Sequence, residues 1–393
     1  MESFTYLSPT EVIFGKNTQE KTGAYIRKYG GTRILLVYGG GSAVRSGLID
    51  QVRQSITEAG LVCDEFGGAV ANPTVSHARE GVLKALDFQA DFILGIGGGS
   101  AIDTAKAIAV GAANPDHDIW EFWTRQVQLE KTLPTGTVLT IPAAGSETSA
   151  SSVLTNQEIG VKRGLSSDLN RPKFAIMNPE LACTLPVYQV ACGVTDILMH
   201  TLDRYFNLTD NQVTDVIAEA LLRTVIENGR TAVADPKNYE AMSELMWAGS
   251  LSHNGLTGLG GGQDFAVHQL GHELSAKFNT AHGASLSTMW DSWALAVLDT
   301  RPERFARYAK EVWGLSGNDI RELALSGIQA TKDYFSSIGM PVSFKENKDV
   351  GIQDDEMIKE LANRCSYQHT RTIGSFKVLD ADDIYQIYKK ANH

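Results

Sequence analysis

Asp196 and His200 stand four residues apart, as do His268 and His272, and His282 follows ten residues later. On a helix, positions i and i+4 share a face, so each pair aims its side chains in one direction. Three of the nine histidines fall between positions 268 and 282, a clustering that isolated core or surface histidines do not produce. The donors are oxygen and nitrogen with no thiolate. That set suits a divalent ion such as Fe2+ or Zn2+ with room left for a substrate, whereas a closed structural zinc site would draw on cysteine. A peptidase arrangement fails, because Gln269 stands where H-E-x-x-H needs its glutamate.

Two glycine turns follow short apolar runs. Ile34-Leu35-Leu36-Val37 leads into Tyr38-Gly39-Gly40-Gly41-Ser42. Phe92-Ile93-Leu94-Gly95-Ile96 leads into Gly97-Gly98-Gly99-Ser100, and Ala101 to Val110 then reads as a helix with Asp103 and Lys106 in its opening turns. Strand, bare turn and helix start make an anion site: glycine lets amide N–H groups come close, and the helix dipole favours negative charge. The spacing is not G-x-G-x-x-G, so the ordinary dinucleotide fingerprint is missing. One such turn is more often a plain tight turn than a nucleotide site; two in one sheet are harder to dismiss. At the end of the first parallel strand a carboxylate commonly bonds the adenosine ribose 2'-OH and repels a 2'-phosphate. Gly39 removes that carboxylate. The amides of Gly40 and Gly41, with Ser42 and Arg45, can instead accept a phosphate, which favours NADP over NAD. Ser42 taken alone can equally cap a helix.

The rest of the chain must position these groups. At 393 residues it is too long for one ordinary core, and two domains are expected. From Arg33 to about Pro186 the βα alternation of a parallel sheet with buried strands is evident. Beyond Pro186, Val213, Ile217, Ala220, Leu221 and Val225 recur at helical spacing, and an all-helical second half is predicted. The net charge of -11 argues against a nucleic-acid or anionic-membrane partner. No basic leader with an apolar run opens the sequence, and no stretch reaches the ~18 apolar residues of a membrane span, so a cytoplasmic protein is expected. Cys63, Cys183, Cys192 and Cys365 form no CxxC pair and read as reduced thiols.

Taken in order, Gly97 to Lys106, then Gly145-Ser146-Glu147-Thr148-Ser149, then Asp196, His200, His268 and His282 resemble the iron-containing (group III) alcohol dehydrogenase family. The resemblance runs over nearly the whole chain, from Thr10-Glu11-Val12-Ile13-Phe14-Gly15 to the terminal helices. Gly39-Gly40-Gly41-Ser42 is similar to its NADPH-dependent butanol dehydrogenase and broad-range aldehyde reductase branch. The resemblance implies a dehydroquinate synthase-like architecture: a dinucleotide-binding α/β domain over residues 1–185, then an all-α metal-binding domain over 186–393. It places the divalent ion, Fe2+ or Zn2+, on Asp196, His200, His268 and His282, with His272 near the nicotinamide. It puts the NADP(H) pyrophosphate on Gly97, Gly98, Gly99 and Ser100, with Asp103 close by and Thr140, Ser149, Lys162 and Leu181 lining the cofactor. A homodimer is implied as well, and Phe4-Thr5-Tyr6-Leu7 could pair as an edge strand with a second subunit. One departure is local: the family often carries Thr after the first glycine of G-T-G-S-E, and here the segment reads Ala143-Ala144-Gly145-Ser146-Glu147.

The chemistry expected is hydride transfer between nicotinamide and a small aldehyde or alcohol, with the ion as Lewis acid and His272 as proton relay or as a hydrogen-bonding wall. Phe265, Trp290 and Trp293 either shape an apolar pocket or pack the core. Two rivals stand beside this reading. A dehydroquinate-synthase-like lyase must grip a phosphorylated, carboxylated substrate, yet from Asp196 to Trp293 the only cations are Arg204, Arg223, Arg230, Lys237 and Lys277. A non-catalytic NADP(H)-binding protein would have no use for the full donor set.

Overall fold

The computed structural model describes every residue from Met1 to His393. The chain divides into two compact units, Leu7–Leu185 and Pro186–His393, the latter joined by Met1–Tyr6.

In the first unit β1 (Glu11–Phe14), β2 (Arg33–Gly39), β3 (Val62–Ala69), β4 (Phe92–Gly97), β5 (Thr135–Leu139) and β8 (Phe174–Met177) form one parallel sheet, ordered β1-β8-β5-β4-β2-β3. The near-continuous apolar runs follow from burial on both faces. Ile34, Leu36, Leu94 and Ile96 pack with Val52 and Ile56 of the helix Leu48–Glu58. Their neighbours Leu35, Val37 and Ile93 pack on the opposite face with Ala105, Ile108 and Ala109 of the helix Gly99–Ala113. Gly95 allows the close approach there, since a Cβ on it would lie 3.1 Å from Ile102 Cα. The simple βα alternation is interrupted once: β6 (Ser151–Asn156) and β7 (Val161–Ser166) make an antiparallel hairpin whose turn includes Gly160 at φ 62°. Periodicity does not announce this hairpin, because Lys162, Arg163 and Ser166 give β7 little apolar content.

The second unit is built of helices, with one isolated bridge between Ile373 and Leu379. Its core is aromatic: Phe206 packs against Trp290, Trp293, Phe305 and Tyr308. The predicted apolar stripe after Val213 lies on the helix Gln212–Ala234, where Leu221 and Val225 are buried while Val213 is exposed. One expectation about the start of the chain is corrected. Residues 1–6 group with the helical unit, where Glu2 N donates to Gly260 O at 3.0 Å and Thr209 Oγ1 to Glu2 Oε1 at 3.4 Å. Within this chain Phe4 to Leu7 form no strand, and β1, paired with β8 on one side alone, is one edge of the sheet. No helix is long and apolar enough to cross a membrane.

Candidate active site

In the α/β unit the expected cofactor residues gather at the carboxyl ends of parallel strands, where open α/β sheets bind their ligands. Gly39 ends β2, Gly97 ends β4, Thr140 follows β5, and Leu181 closes the short helical turn after β8. Gly97 adopts φ 149°, and a Cβ on Gly98 would lie 2.8 Å from Ile141 Cδ1, so the turn has no room for side chains. The helix that follows has Gly98 at its N-cap and no side-chain cap, so no side chain competes for its first amides. At β2, Gly41 adopts φ 125° and itself occupies the N-cap of the helical turn Ser42–Arg45. Ser42 is thus the first helical residue and not the cap. Arg45 Nη1 lies 3.0 Å from the place of a Gly41 Cβ, which folds the guanidinium over the turn.

Three of the expected cofactor residues turn out to be tied into the protein. Asp103 accepts from Ser146 Oγ at 2.6 Å and from Val153 N at 2.9 Å, so its carboxylate fastens the 146–153 segment to the glycine helix. Burial raises its pKa, against the pull of Lys106. Ser149 Oγ accepts from Ser151 N at 3.3 Å, and Lys162 Nζ donates to Asn72 Oδ1 at 2.9 Å. Sequence reading missed the anchor of this assembly. Lys106 is buried and donates to Ser146 O at 2.7 Å, Ser146 Oγ at 3.0 Å, Ser149 O at 3.1 Å and Ser151 O at 2.7 Å. Burial lowers its pKa to about 8.

In the helical unit the helix Val187–Tyr205 carries Asp196, His200 and Asp203 on one buried face. The helix Ala266–Phe278 brings His268 and His272, and the helix His282–Val297 brings the last imidazole. Small residues let these helices meet. A Cβ on Gly271 would lie 2.8 Å from Ser285 Oγ, and one on Gly283 would lie 2.3 Å from Cys192 O.

Asp196 Oδ1 is ringed by three imidazole nitrogens: His200 Nε2 at 3.3 Å, His268 Nε2 at 3.6 Å and His282 Nε2 at 3.7 Å. Asp196, His268 and His282 each place a donor atom within 4.8 Å of the others. His200 stands slightly apart, its Nε2 also 3.1 Å from Nδ1 of His253, a residue that no motif had singled out. Asp196 Oδ1 and His268 Nε2 are buried without a hydrogen-bond partner. Such groups are costly to bury, and a cation bound to both removes the cost. The donor set therefore fits a divalent ion.

The electrostatics of His200 agree with that fit. Burial, reinforced by His253 and His268, holds His200 well below the ordinary imidazole range, leaving a neutral ring able to donate a lone pair. For His268 burial works the other way from its neighbours, and the carboxylates of Asp203 and Asp196 prevail, raising its pKa. His272 is half-buried, its ring 5.4 Å from that of His282 and 6.4 Å from that of His268. Phe265 lies 5.3 Å from the His268 ring and under the Arg204 guanidinium. Trp290 and Trp293 are fully buried core residues.

Glycine turns at the strand ends of an α/β unit, followed by a helical unit with one carboxylate ringed by imidazoles, are the parts of a metal-dependent dehydrogenase. The family model described as iron-containing alcohol dehydrogenase matches residues 9–179, and that for the C-terminal part of the Fe-containing alcohol dehydrogenase family matches 190–392. The NADH-dependent butanol dehydrogenase A of Clostridium acetobutylicum is 38% identical, with 100% of each chain covered. The NADPH-dependent aldehyde reductase YqhD of Escherichia coli is 33% identical, again over 100% of both. A solved structure of NADH-dependent butanol dehydrogenase A from Thermotoga maritima superposes with a TM-score of 0.96 at 34% identity, covering 100% of this chain and 99% of that one. The chain belongs to the iron-containing alcohol dehydrogenase family and is a metal-dependent alcohol/aldehyde oxidoreductase.

Proposed function

We propose that this oxidoreductase reduces small aldehydes with NADPH, with Fe2+ or Zn2+ held by Asp196, His200, His268 and His282. The observation that carries the metal assignment is the unpartnered Asp196 Oδ1 with three imidazole nitrogens within 3.7 Å. When bound, a divalent ion there supplies Lewis acidity to a substrate oxygen, and a nicotinamide supplies the hydride. Gly97, Gly98, Gly99 and Ser100 offer amides to the pyrophosphate, Thr140 and Leu181 stand beyond the same strand ends, and Ser149, just before β6, and Lys162, on β7, are further lining residues. Asp103 acts by fastening the neighbouring segment. His272, beside His268 and His282, is the group available to move a proton.

The preference for NADPH is read from the chain's own turn, because relatives named for each cofactor are similar over their full length. No carboxylate occupies position 39, and Ser42 and Arg45 stand exposed beside the Gly40 and Gly41 amides. A small neutral substrate is supported by the engagement of four of the five cations between Asp196 and Trp293: Arg204 donates to His200 O, Arg223 to Glu311 O and Lys277 to Glu360, and Arg230 lies over Tyr334. Little remains to grip a phosphorylated substrate of the lyase kind. Four free cysteines support a reducing, cytoplasmic setting. The homodimer reading rests on the resemblance and on β1 as an open sheet edge.

The test is kcat/KM of metal-reconstituted protein with NADPH and NADH across an aldehyde panel, for wild type and Gly39→Asp. Gly39 is not among the glycines with positive φ, and its Cβ would lie 3.3 Å from Ala69 O, so an aspartate fits with a small local shift. Wild type should favour NADPH and the variant should move toward NADH. An unchanged ratio in a folded variant removes Gly39 from cofactor choice, and activity confined to phosphorylated aldehydes overturns the substrate class.

A further inference from the structure

His268 has two ring nitrogens, and only one of them faces Asp196. Nε2 is the unpartnered nitrogen, 3.6 Å from Asp196 Oδ1. Nδ1 is hydrogen-bonded to Oδ2 of Asp203. A carboxylate can only accept, so Nδ1 carries a proton, and Nε2, the nitrogen that faces Asp196, is the one left to bind an ion.

Asp203 is an unusual residue to find in this place. Its side chain is fully buried, and Oδ1 has no hydrogen-bond partner. Arg204, the next residue, donates to His200 O and lends Asp203 only its charge, and His268 is the one side-chain hydrogen-bond donor to Asp203. A half-satisfied buried carboxylate opposes folding. Its retention makes sense if the cost is offset when an ion binds the far side of the His268 ring.

We infer that Asp203 is a positioning residue for the metal site: it fixes the tautomer and ring orientation of His268 and raises the basicity of Nε2. Asp196, His200 and Asp203 follow one another at helical spacing, so one helix supplies a ligand carboxylate, a ligand imidazole and the carboxylate that orients a third ligand from another helix. This inference rests on the ligand assignment proposed above.

The experiment measures Co2+ and Zn2+ affinity by chelator competition at one neutral pH for wild type, Asp203→Ala, Asp203→Asn, His268→Ala and the Asp203→Ala/His268→Ala double variant, with the melting temperature of each metal-free protein. Asp203→Ala should weaken both metals by about 10–100-fold. It should also alter the visible bands of the Co2+ form while leaving the metal-free melting temperature at or above that of wild type. In the His268→Ala background the same change should cost nothing further, because the ring through which Asp203 acts is gone. Asp203→Asn, which keeps an acceptor oxygen without the charge, should fall between. Affinities within twofold of wild type for folded Asp203→Ala, or additive losses in the double variant, overturn the role of Asp203 while the ligand set stands. If His268→Ala also binds metal as wild type does, the ligand set fails and the Asp203 role with it.

Discussion

Gly283 offers the sharpest test of how the ligand helices are held. An added Cβ would lie 2.3 Å from Cys192 O, 2.7 Å from Cys192 Cα and 2.8 Å from Cys192 C, where real Cβ atoms stay beyond 3.0 Å. All three are backbone atoms of the helix that carries Asp196, so no rotamer change relieves the clash. The two helices must part by about 0.7 Å or more, and His282, the preceding residue, moves with its helix. Overpacking of this kind costs about 1–3 kcal/mol. In a unit of this size that lowers the melting temperature by roughly 2–4 °C per kcal/mol. A ligand displaced on this scale should also weaken metal binding about tenfold, which corresponds to ~1.4 kcal/mol. Thermal unfolding with and without Zn2+, together with chelator competition, measures both quantities for Gly283→Ala. Gly317→Ala in the same unit is the control, since its Cβ would meet nothing nearer than Leu323 Cβ at 3.7 Å. A Gly283→Ala protein with wild-type melting temperature and metal affinity would show that the small residue is incidental and the reasoning wrong.

Two further outcomes are expected. His253→Phe keeps a ring beside His200 but removes the nitrogen 3.1 Å from His200 Nε2; freeing that ligand atom from a bond worth about 0.5–1.5 kcal/mol should tighten Zn2+ binding about 2–10-fold, whereas a tenfold loss would make His253 itself a ligand. Lys106, with its pKa lowered to about 8 from 10.5, should give pH-dependent stability. Between those values the unfolded chain binds the extra proton, so unfolding free energy should rise with pH by an amount on the order of 3 kcal/mol relative to Lys106→Met, and denaturant titrations giving parallel pH curves for the two proteins would refute it.

The sheet and the clustering of Asp196 with the three imidazoles were legible because they obey short-range rules. Apolar runs ending in glycine mark buried parallel strands, and i,i+4 pairs of donors mark a helix face. Asp203 was legible in principle, seven residues after Asp196 on the same face, but an aspartate on a helix has too many ordinary uses to stand out. His253 was not legible, since nothing in the local pattern of Tyr239–His253 indicates that the helix ends against His200. The inward use of Asp103 escaped because its partners, Ser146 and Val153, lie more than 40 residues away, and the β6–β7 hairpin escaped because β7 carries little apolar content.

The buried ammonium of Lys106 has a consequence for protein engineering. Through Ser146, Ser149 and Ser151 it fixes the start of β6, and the hairpin register Thr155 to Lys162 carries Lys162 along. Segments far apart in sequence are thereby mounted on one post. A cofactor loop transplanted from a relative will not keep its geometry unless the acceptor oxygens that meet Lys106 and the hydroxyl and amide that meet Asp103 are transplanted with it. Recombination points are safest outside the stretch from Gly97 to Ser166, which behaves as one heritable block.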